Sequence, residues 1–268
     1  MRRWGLRLKG WWGWRLLAFY IRRWVEVIYP PRCVACGQVG NVLCGTCLRS
    51  FPPITSPFCR RCGYPLATPT DKCPSCQRDI LCALDRARSA AHFRPPVREA
   101  IHALKYRGVQ ELAPILGAYM AARLRASSLR VDLVVPVPLH AERRRERGYN
   151  QAELLAHIIT RTLTCPLVPE ALERVRATSP QAFLPFEERR ANVKDAFHCP
   201  CPERVQGCRV LLVDDVMTTG CTLEACAQAL KHAGAREVWG YTLARAALPG
   251  PTPPRRTFSG INKRGGWA

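Results

Sequence analysis

Acidic side chains are in short supply. The 268 residues carry 20 Asp plus Glu against 41 Lys plus Arg, a formal net charge of +21. That excess suits a polyanionic partner, either nucleic acid or an anionic membrane surface, although heavy arginine usage on a solvated surface gives the same figure. Long apolar runs are lacking too. In the N-terminal region the longest, Leu16 to Ile21, falls far below the roughly 20 residues of a membrane-spanning helix. No small-residue cleavage site follows the basic start, which argues against a secretory signal. Cysteine, by contrast, is plentiful at 15 residues, but seven of them (Cys82, Cys165, Cys199, Cys201, Cys208, Cys221 and Cys226) show no pairing pattern. A scattered disulfide framework is therefore excluded, and a reducing, cytoplasmic compartment is expected.

The other eight cysteines form C-x-x-C pairs: Cys33/Cys36, Cys44/Cys47, Cys59/Cys62 and Cys73/Cys76. Two thiolates from one tight knuckle reach the same tetrahedral Zn²⁺, and two knuckles close a Cys₄ site with no open position. Such a site is structural rather than catalytic. Gly37 and Gly63 follow their knuckles, where a left-handed backbone is often needed. Sequential pairing puts Cys33, Cys36, Cys44 and Cys47 on one zinc and Cys59, Cys62, Cys73 and Cys76 on the other. A cross-brace pairing is equally legal by spacing.

Further along, the apolar run Val210-Leu211-Leu212-Val213 reads as a buried strand that stops on Asp214 and Asp215. A Thr218-Thr219-Gly220-Cys221-Thr222 loop and a helix with Leu223, Ala227 and Leu230 on its stripe follow. Amides at a helix N-terminus favour an anion, Gly220 allows close approach, and the three threonines add hydroxyls, which together make a cup for a phosphate monoester. Two carboxylates beside that cup would repel a phosphate, so they are expected to meet sugar hydroxyls and Mg²⁺. This pattern resembles the 5-phosphoribosyl-1-diphosphate (PRPP) motif of type I phosphoribosyltransferases. The resemblance implies that Asp214 and Asp215 bind the ribose hydroxyls and that Thr218 through Thr222 bind the 5′-phosphate.

Other segments are placed around this one. Pro95 and Pro96 open a helix with Val97, Ile101 and Leu104 on one face, and a second helix runs from about Glu111 to Arg125. The strand Val131 to Val135 leads into Pro136-Val137-Pro138-Leu139, a stiff turn suited to a pyrophosphate loop through Val137, Pro138 and Leu139. The basic run from Arg143 to Arg147 follows. It occupies a place similar to the flexible loop that closes over pyrophosphate in type I phosphoribosyltransferases, which makes Arg143 and Arg147 the catalytic candidates. Glu237 to Leu243 reads as the last strand, and residues 77 to 90 read as a crossing between modules.

Leu104-Lys105-Tyr106-Arg107-Gly108, Val135-Pro136-Val137-Pro138-Leu139, Arg143 to Gln151, Arg176-x-x-x-x-Gln181 and Arg189-x-x-Asn192 then occur in one order with the cysteine-rich start. In that order they resemble the ComF/GntX family, with the match covering about residues 29–245. The resemblance implies an α/β fold: a type I phosphoribosyltransferase-like core with a mainly parallel sheet flanked by helices, preceded by a small double zinc ribbon. The expected domains are a basic, aromatic extension at 1–28, the double ribbon at 29–80, the core at 88–247 and a disordered tail at 248–268. An interfacial helix touching the membrane periphery is one reading of residues 1–28, and a disordered extension is the other. Lys105, Arg176, Gln181, Arg189 and Asn192 are expected to contact ligand or nucleic acid. The implied cofactors are two structural zincs, with Mg²⁺ accompanying PRPP. The implied function is binding of PRPP or a similar phosphoribose in uptake or handling of single-stranded DNA during natural competence. Single-stranded DNA is the expected partner, alongside competence helicase and translocation machinery. The alternatives are a phosphoribosyltransferase acting on an unidentified acceptor and a PRPP-sensing regulator. A glutamine amidotransferase is set aside, because that chemistry needs an N-terminal cysteine and this chain begins Met1-Arg2.

Overall fold

The computed structural model describes residues 29–68, 72–77, 81–125, 129–176, 193 and 195–247. Its centre is a four-stranded sheet in the order β1-β6-β5-β2, with every neighbouring pair parallel. The strands are β1 Arg86–His92, β2 Leu133–Pro136, β5 Arg209–Met217 and β6 Glu237–Arg245, and a two-stranded antiparallel ribbon joins β3 Glu173–Arg174 to β4 Phe197–His198. In a parallel sheet covered on both faces, interior strands read as unbroken apolar runs. In β5, accordingly, Val210 and Leu212 join one core, while Leu211 and Val213 join the other.

Five helices are α1 Gly45–Arg49, α2 Pro74–Gln77, α3 Val97–Tyr106, α4 Leu112–Arg125 and α5 Ala141–Arg147. Two more are α6 Gln151–Leu163 and α7 Cys221–His232. Helix α3 buries Val97, Ala100, Ile101 and Leu104, the helical spacing expected of one face. Together with α4 and α6 it covers the Leu211/Val213 side of the sheet, and α7 covers the other side.

The structure differs from the sequence expectation in several places. Residues 86–92 form a full strand where a crossing was expected. Strand β5 continues through both aspartates to Met217 because β6 keeps pairing with it as far as Arg245. Residues 141–147 form helix α5 rather than a flexible loop: Gly148 ends it in the left-handed region, and the Tyr149 hydroxyl donates to the Leu104 carbonyl just beyond. Helix α6, not anticipated, starts at Asn150, whose side chain accepts the Ala152 N–H at 3.0 Å and donates to the Val137 carbonyl at 3.0 Å.

Strand β1 lies at the sheet edge, a position that invites unwanted pairing unless it is covered. Both cysteine knuckle regions cover it. The Ala87 N–H donates to the Arg61 carbonyl at 2.7 Å, and the His92 N–H donates to the Pro52 carbonyl at 2.8 Å. At Gly63 (φ +66°) an added Cβ would sit 2.7 Å from the Ala87 carbonyl oxygen, so this knuckle reaches β1 only with glycine there.

Candidate functional site

The cysteines fall into two groups, Cys33, Cys36, Cys44 and Cys47, then Cys59, Cys62, Cys73 and Cys76, each with sulfurs within 4.8 Å of one another. The sequential pairing is therefore the one adopted. Tetrahedral zinc with bonds of about 2.3 Å needs sulfur–sulfur edges of about 3.8 Å. Cys36 to Cys44 at 3.7 Å and Cys62 to Cys73 at 3.5 Å fit that requirement.

At the carboxyl end of β5, side chains alternate across the sheet, so the adjacent aspartates point to opposite faces. Asp215, 2 % exposed, meets Lys105 Nζ from α3 at 2.7 Å. Burial alone would lower the Lys105 pKa, but the charges of Asp215 and Asp214 reverse this and raise it. Asp214 faces the α7 side, where it is electrostatically coupled to Arg174 and Cys226. Its pKa is pushed up to about 7, first by burial and then by the Asp215 charge, with Lys105 pulling the other way. Near neutral pH this carboxyl is poised to release its proton to solvent when a ligand brings a cation or a hydroxyl pair that favours the anion.

The loop after β5 turns at Gly220, which has φ +90°. A Cβ there would stand 2.6 Å from Met217 Cε and 3.2 Å from Leu81 Cδ2, so a side chain would have to displace both on a backbone already strained for any residue but glycine. Beyond it α7 begins at Cys221, presenting its first amides toward the sheet edge. Thr219 is buried and turned inward: its hydroxyl donates to Cys221 Sγ at 3.2 Å and accepts the Cys221 N–H at 3.4 Å. Thr218 and Thr222 are half-buried. They are better placed than Thr219 to offer hydroxyls outward.

Lys105, Arg143 and Arg147 come together on one cavity of about 690 Å³, also lined by Tyr106, Gly108, Glu142, Glu146 and Tyr149. Arg147 is held in place, donating to Gln151 Oε1 and lying 5.6 Å from the Tyr106 ring centre. In the expected pyrophosphate turn, Pro136 and Pro138 have no N–H, and the Val137 N–H is donated to the Val213 carbonyl at 2.9 Å. Within Val137-Pro138-Leu139 that leaves Leu139 to supply any amide donor. Pro138 and Leu139 line a separate cavity of about 260 Å³ with Arg174. Arg176 is exposed just beyond β3, while Gln181, Arg189 and Asn192 lie outside the described residues.

Two residues missed by the sequence reading tie the loop to the second cysteine cluster. Glu224 on α7, 6 % exposed, accepts the N–H groups of Cys82 and Ala83 at 2.8 Å and of Leu84 at 3.0 Å. Arg245, at the end of β6 and opposite Met217 in the register, is 3 % exposed and donates to the Cys62 carbonyl at 3.1 Å. Its other terminal nitrogen approaches Cys62 Sγ at 3.7 Å, where a cation offsets thiolate charge.

No helix among the described residues is long and apolar enough to cross a membrane. Residues 24–79 match the Double zinc ribbon domain family, and residues 150–258 match the Phosphoribosyl transferase domain family. DNA utilization protein YhgH of Salmonella typhimurium is 34 % identical over 208 residues, which is 76 % of this chain and 90 % of that protein. Competence protein F of Haemophilus influenzae is 33 % identical over 234 residues, covering 80 % and 97 %. Competence protein ComFC of Bacillus subtilis is 29 % identical over 214 residues, covering 76 % and 84 %. A double Cys₄ module folded onto a parallel-sheet core that carries the Asp-Asp strand end and glycine-turned helix, together with relatives matched over most of both chains, places this protein in the ComF/GntX family.

Proposed function

We propose that the protein binds PRPP, or a similar phosphoribose, as its Mg²⁺ complex at the carboxyl edge of the sheet. On this reading it acts in the uptake or handling of single-stranded DNA in the cytoplasm. The observation that carries the first part is the Asp214-Asp215 strand end followed directly by the Gly220 turn and the N-terminus of α7. The Thr218–Thr222 amides and hydroxyls would take the 5′-phosphate, with the helix dipole favouring the charge. Asp214 and Asp215 would accept from the ribose hydroxyls. Lys105, already 2.7 Å from Asp215, lowers the repulsion between those carboxylates and the phosphates. Arg143 and Arg147 would meet the diphosphate from α5 and exclude water from it. The DNA part is supported by the names of the relatives, which include a DNA utilization protein and competence proteins, and by the net charge of +21.

Calorimetric titration with PRPP plus Mg²⁺, alongside an Asp214→Asn/Asp215→Asn variant, tests the site. Heat in the wild type that the variant abolishes is the expected result. Absence of heat from a folded, zinc-replete protein would reduce the motif to architecture. Diphosphate release on adding an acceptor would extend binding to turnover. A steep fall of single-stranded DNA affinity with salt, weakened by Arg143→Ala plus Arg147→Ala, is expected of the DNA contact.

A further inference from the structure

A separate cavity, of about 160 Å³, opens toward the amino-terminal ends of β1 and β6. Arg86, Arg88, Trp239 and Tyr241 line it with Leu124 from the end of α4, and no acidic side chain among the described residues does. The register pairs Arg86 with Trp239, and Trp239 with Leu211, three residues before Asp214. At about 3.3 Å per residue the cavity lies about 10 Å back along the strands from the aspartates. Tyr241 fills that interval on the same face: it is 3 % exposed, and its hydroxyl donates to the Met120 carbonyl at 2.8 Å. Open parallel sheets take their substrates at the carboxyl ends of the strands, so phosphoribose binding makes no use of this cavity. Arg86 stands exposed at the start of edge strand β1. Its guanidinium has no hydrogen bond or ion pair among the described residues and lies 5.1 Å from the centre of the half-buried Trp239 ring. Arg88 has a different role. It donates to the Ala87 carbonyl at 2.7 Å and to the Arg60 carbonyl at 3.0 Å, fixing the Cys59–Cys62 knuckle against β1. The nearby carboxylates are engaged elsewhere: Asp85 pairs with Lys231 at 2.8 Å, and Glu237 lies opposite Arg209 in the register. An uncompensated cation beside an aromatic face, on an acid-free cavity, calls for a partner that brings both an anion and a flat ring.

We propose that this cavity is a contact site for single-stranded DNA, at which one base enters against Trp239 while Arg86 meets an adjoining phosphate. A cavity of roughly 150 Å³ already holds one benzene ring, so the space suits a single base. A duplex would first have to unpair and unstack that base, at a cost of a few kcal/mol, which selects the single strand. An anionic membrane fits less well. Trp239 is recessed rather than projecting, and none of the exposed large apolar side chains Tyr29, Val39, Tyr106 and Val175 lines the cavity. The inference rests on the single-stranded DNA reading of the proposed function and adds a contact remote from Arg143 and Arg147. It joins the core to the second cysteine module at one surface, because Arg88 ties that module to the strand that carries Arg86.

The test uses the full-length, zinc-replete chain and fluorescence anisotropy. The probes are a short deoxythymidine strand and an abasic deoxyribose-phosphate strand of equal length and charge. Wild type is expected to bind the deoxythymidine strand about tenfold more tightly than the abasic one, the scale of one aromatic–base stack. Trp239→Leu should erase that preference, and Trp239→Phe should keep most of it. Arg86→Gln should weaken both strands and reduce the salt slope by about 0.7, the share of one phosphate on a single strand, and Arg86→Lys should restore it. PRPP heat and zinc content should stay at the wild-type level in Trp239→Leu and Arg86→Gln, as expected of an intact fold and a separate site. A base preference that survives Trp239→Leu, or a wild-type salt slope in Arg86→Gln, would overturn the proposal and leave the DNA reading standing. Absence of strand binding by wild type would overturn both. Binding to phosphatidylglycerol vesicles that both variants lose, with strand binding unchanged, would overturn it in favour of a membrane contact.

Discussion

The two cysteine clusters are built from the same ligands, yet the first leans on helices and the second on the glycine-turned loop at 218–222. Cys33, Cys44 and Cys47 share a core with α3, α4 and α6, and nearby Phe51 packs edge-on against Tyr119 at 5.1 Å. Cys59, Cys62, Cys73 and Cys76 share the opposite core with α7 and the Val210/Leu212 face of β5. From this second cluster run the Arg245–Cys62 bond, the Leu81 contact at Gly220, and the Cys82–Leu84 amides that end on Glu224. Equal metal chemistry thus does unequal work. One knuckle pair braces the helical layer, and the other forms the support under the loop that the phosphate would occupy.

Breaking each cluster separately should expose that difference most strongly. Cys73→Ala is expected to lower bound zinc from two ions per chain to one and to abolish PRPP heat. Cys44→Ala should lower zinc equally and leave the heat in place, as read by elemental analysis and calorimetry. Structural zinc contributes about 10–16 kcal/mol of apparent binding energy, so either loss unravels its own knuckles. Equal loss of PRPP binding in both variants would erase the distinction.

The next largest effect is expected at Glu224. Glu224→Ala leaves the amides of Cys82, Ala83 and Leu84, of which Leu84 is buried, without their acceptor, a cost of about 2 kcal/mol in denaturant unfolding. Glu224→Gln, which keeps one acceptor oxygen, should recover part of it.

How much of this was legible in the sequence follows from how local each feature is. The Asp214-Asp215 strand end and the Gly220 turn are written contiguously, and the structure forms them where the pattern puts them, with Gly220 in the left-handed region. Lys105 stood out only as part of a motif, and its partner Asp215 emerged once α3 was packed on the sheet. Zinc pairing was open because spacing permits both arrangements, and only the folded distances select the sequential one. Strand β1 reads Arg-Ala-Arg-Ser-Ala-Ala-His, with no β-branched apolar residue to announce it. It is a strand because β6 and the cysteine module supply partners on either side. Glu224 accepts from amides 140 or more residues earlier, a relation no local pattern carries. Helix α6 is the avoidable omission: the Asn150 cap and buried Ala152, Leu155, Ala156 and Ile159 are a plain helical signature.

Smaller effects sharpen the comparison from the strand end. The raised pKa of Asp214 means that the folded chain keeps a proton the unfolded chain gives up. Its stabilising contribution is full below the ordinary 3.8 and is lost as pH rises through about 7. Asp214→Asn, on the second cluster's face, should therefore melt at a higher temperature than wild type at about pH 8 while losing PRPP binding. Wild-type affinity for PRPP should rise over the same interval, as the carboxyl ionises.

The smallest effect is a control at the far end of the sheet. Asp132 accepts from the Arg209 guanidinium at 2.7 Å and from the Arg209 N–H at 2.8 Å, and this Arg209 pairing holds its pKa at about 2. This stabilisation is present above the ordinary 3.8 and is lost as pH falls through about 2. Asp132→Ala should cost about 1 kcal/mol and leave PRPP heat unchanged.

Hydrogen–deuterium exchange with and without PRPP plus Mg²⁺ tests the central claim most directly. The account predicts slowed exchange in the peptide spanning residues 214–224 and, through Glu224, in the amides of Cys82, Ala83 and Leu84. Slowing confined to Arg143–Arg147, with residues 214–224 and 82–84 unchanged, would contradict it.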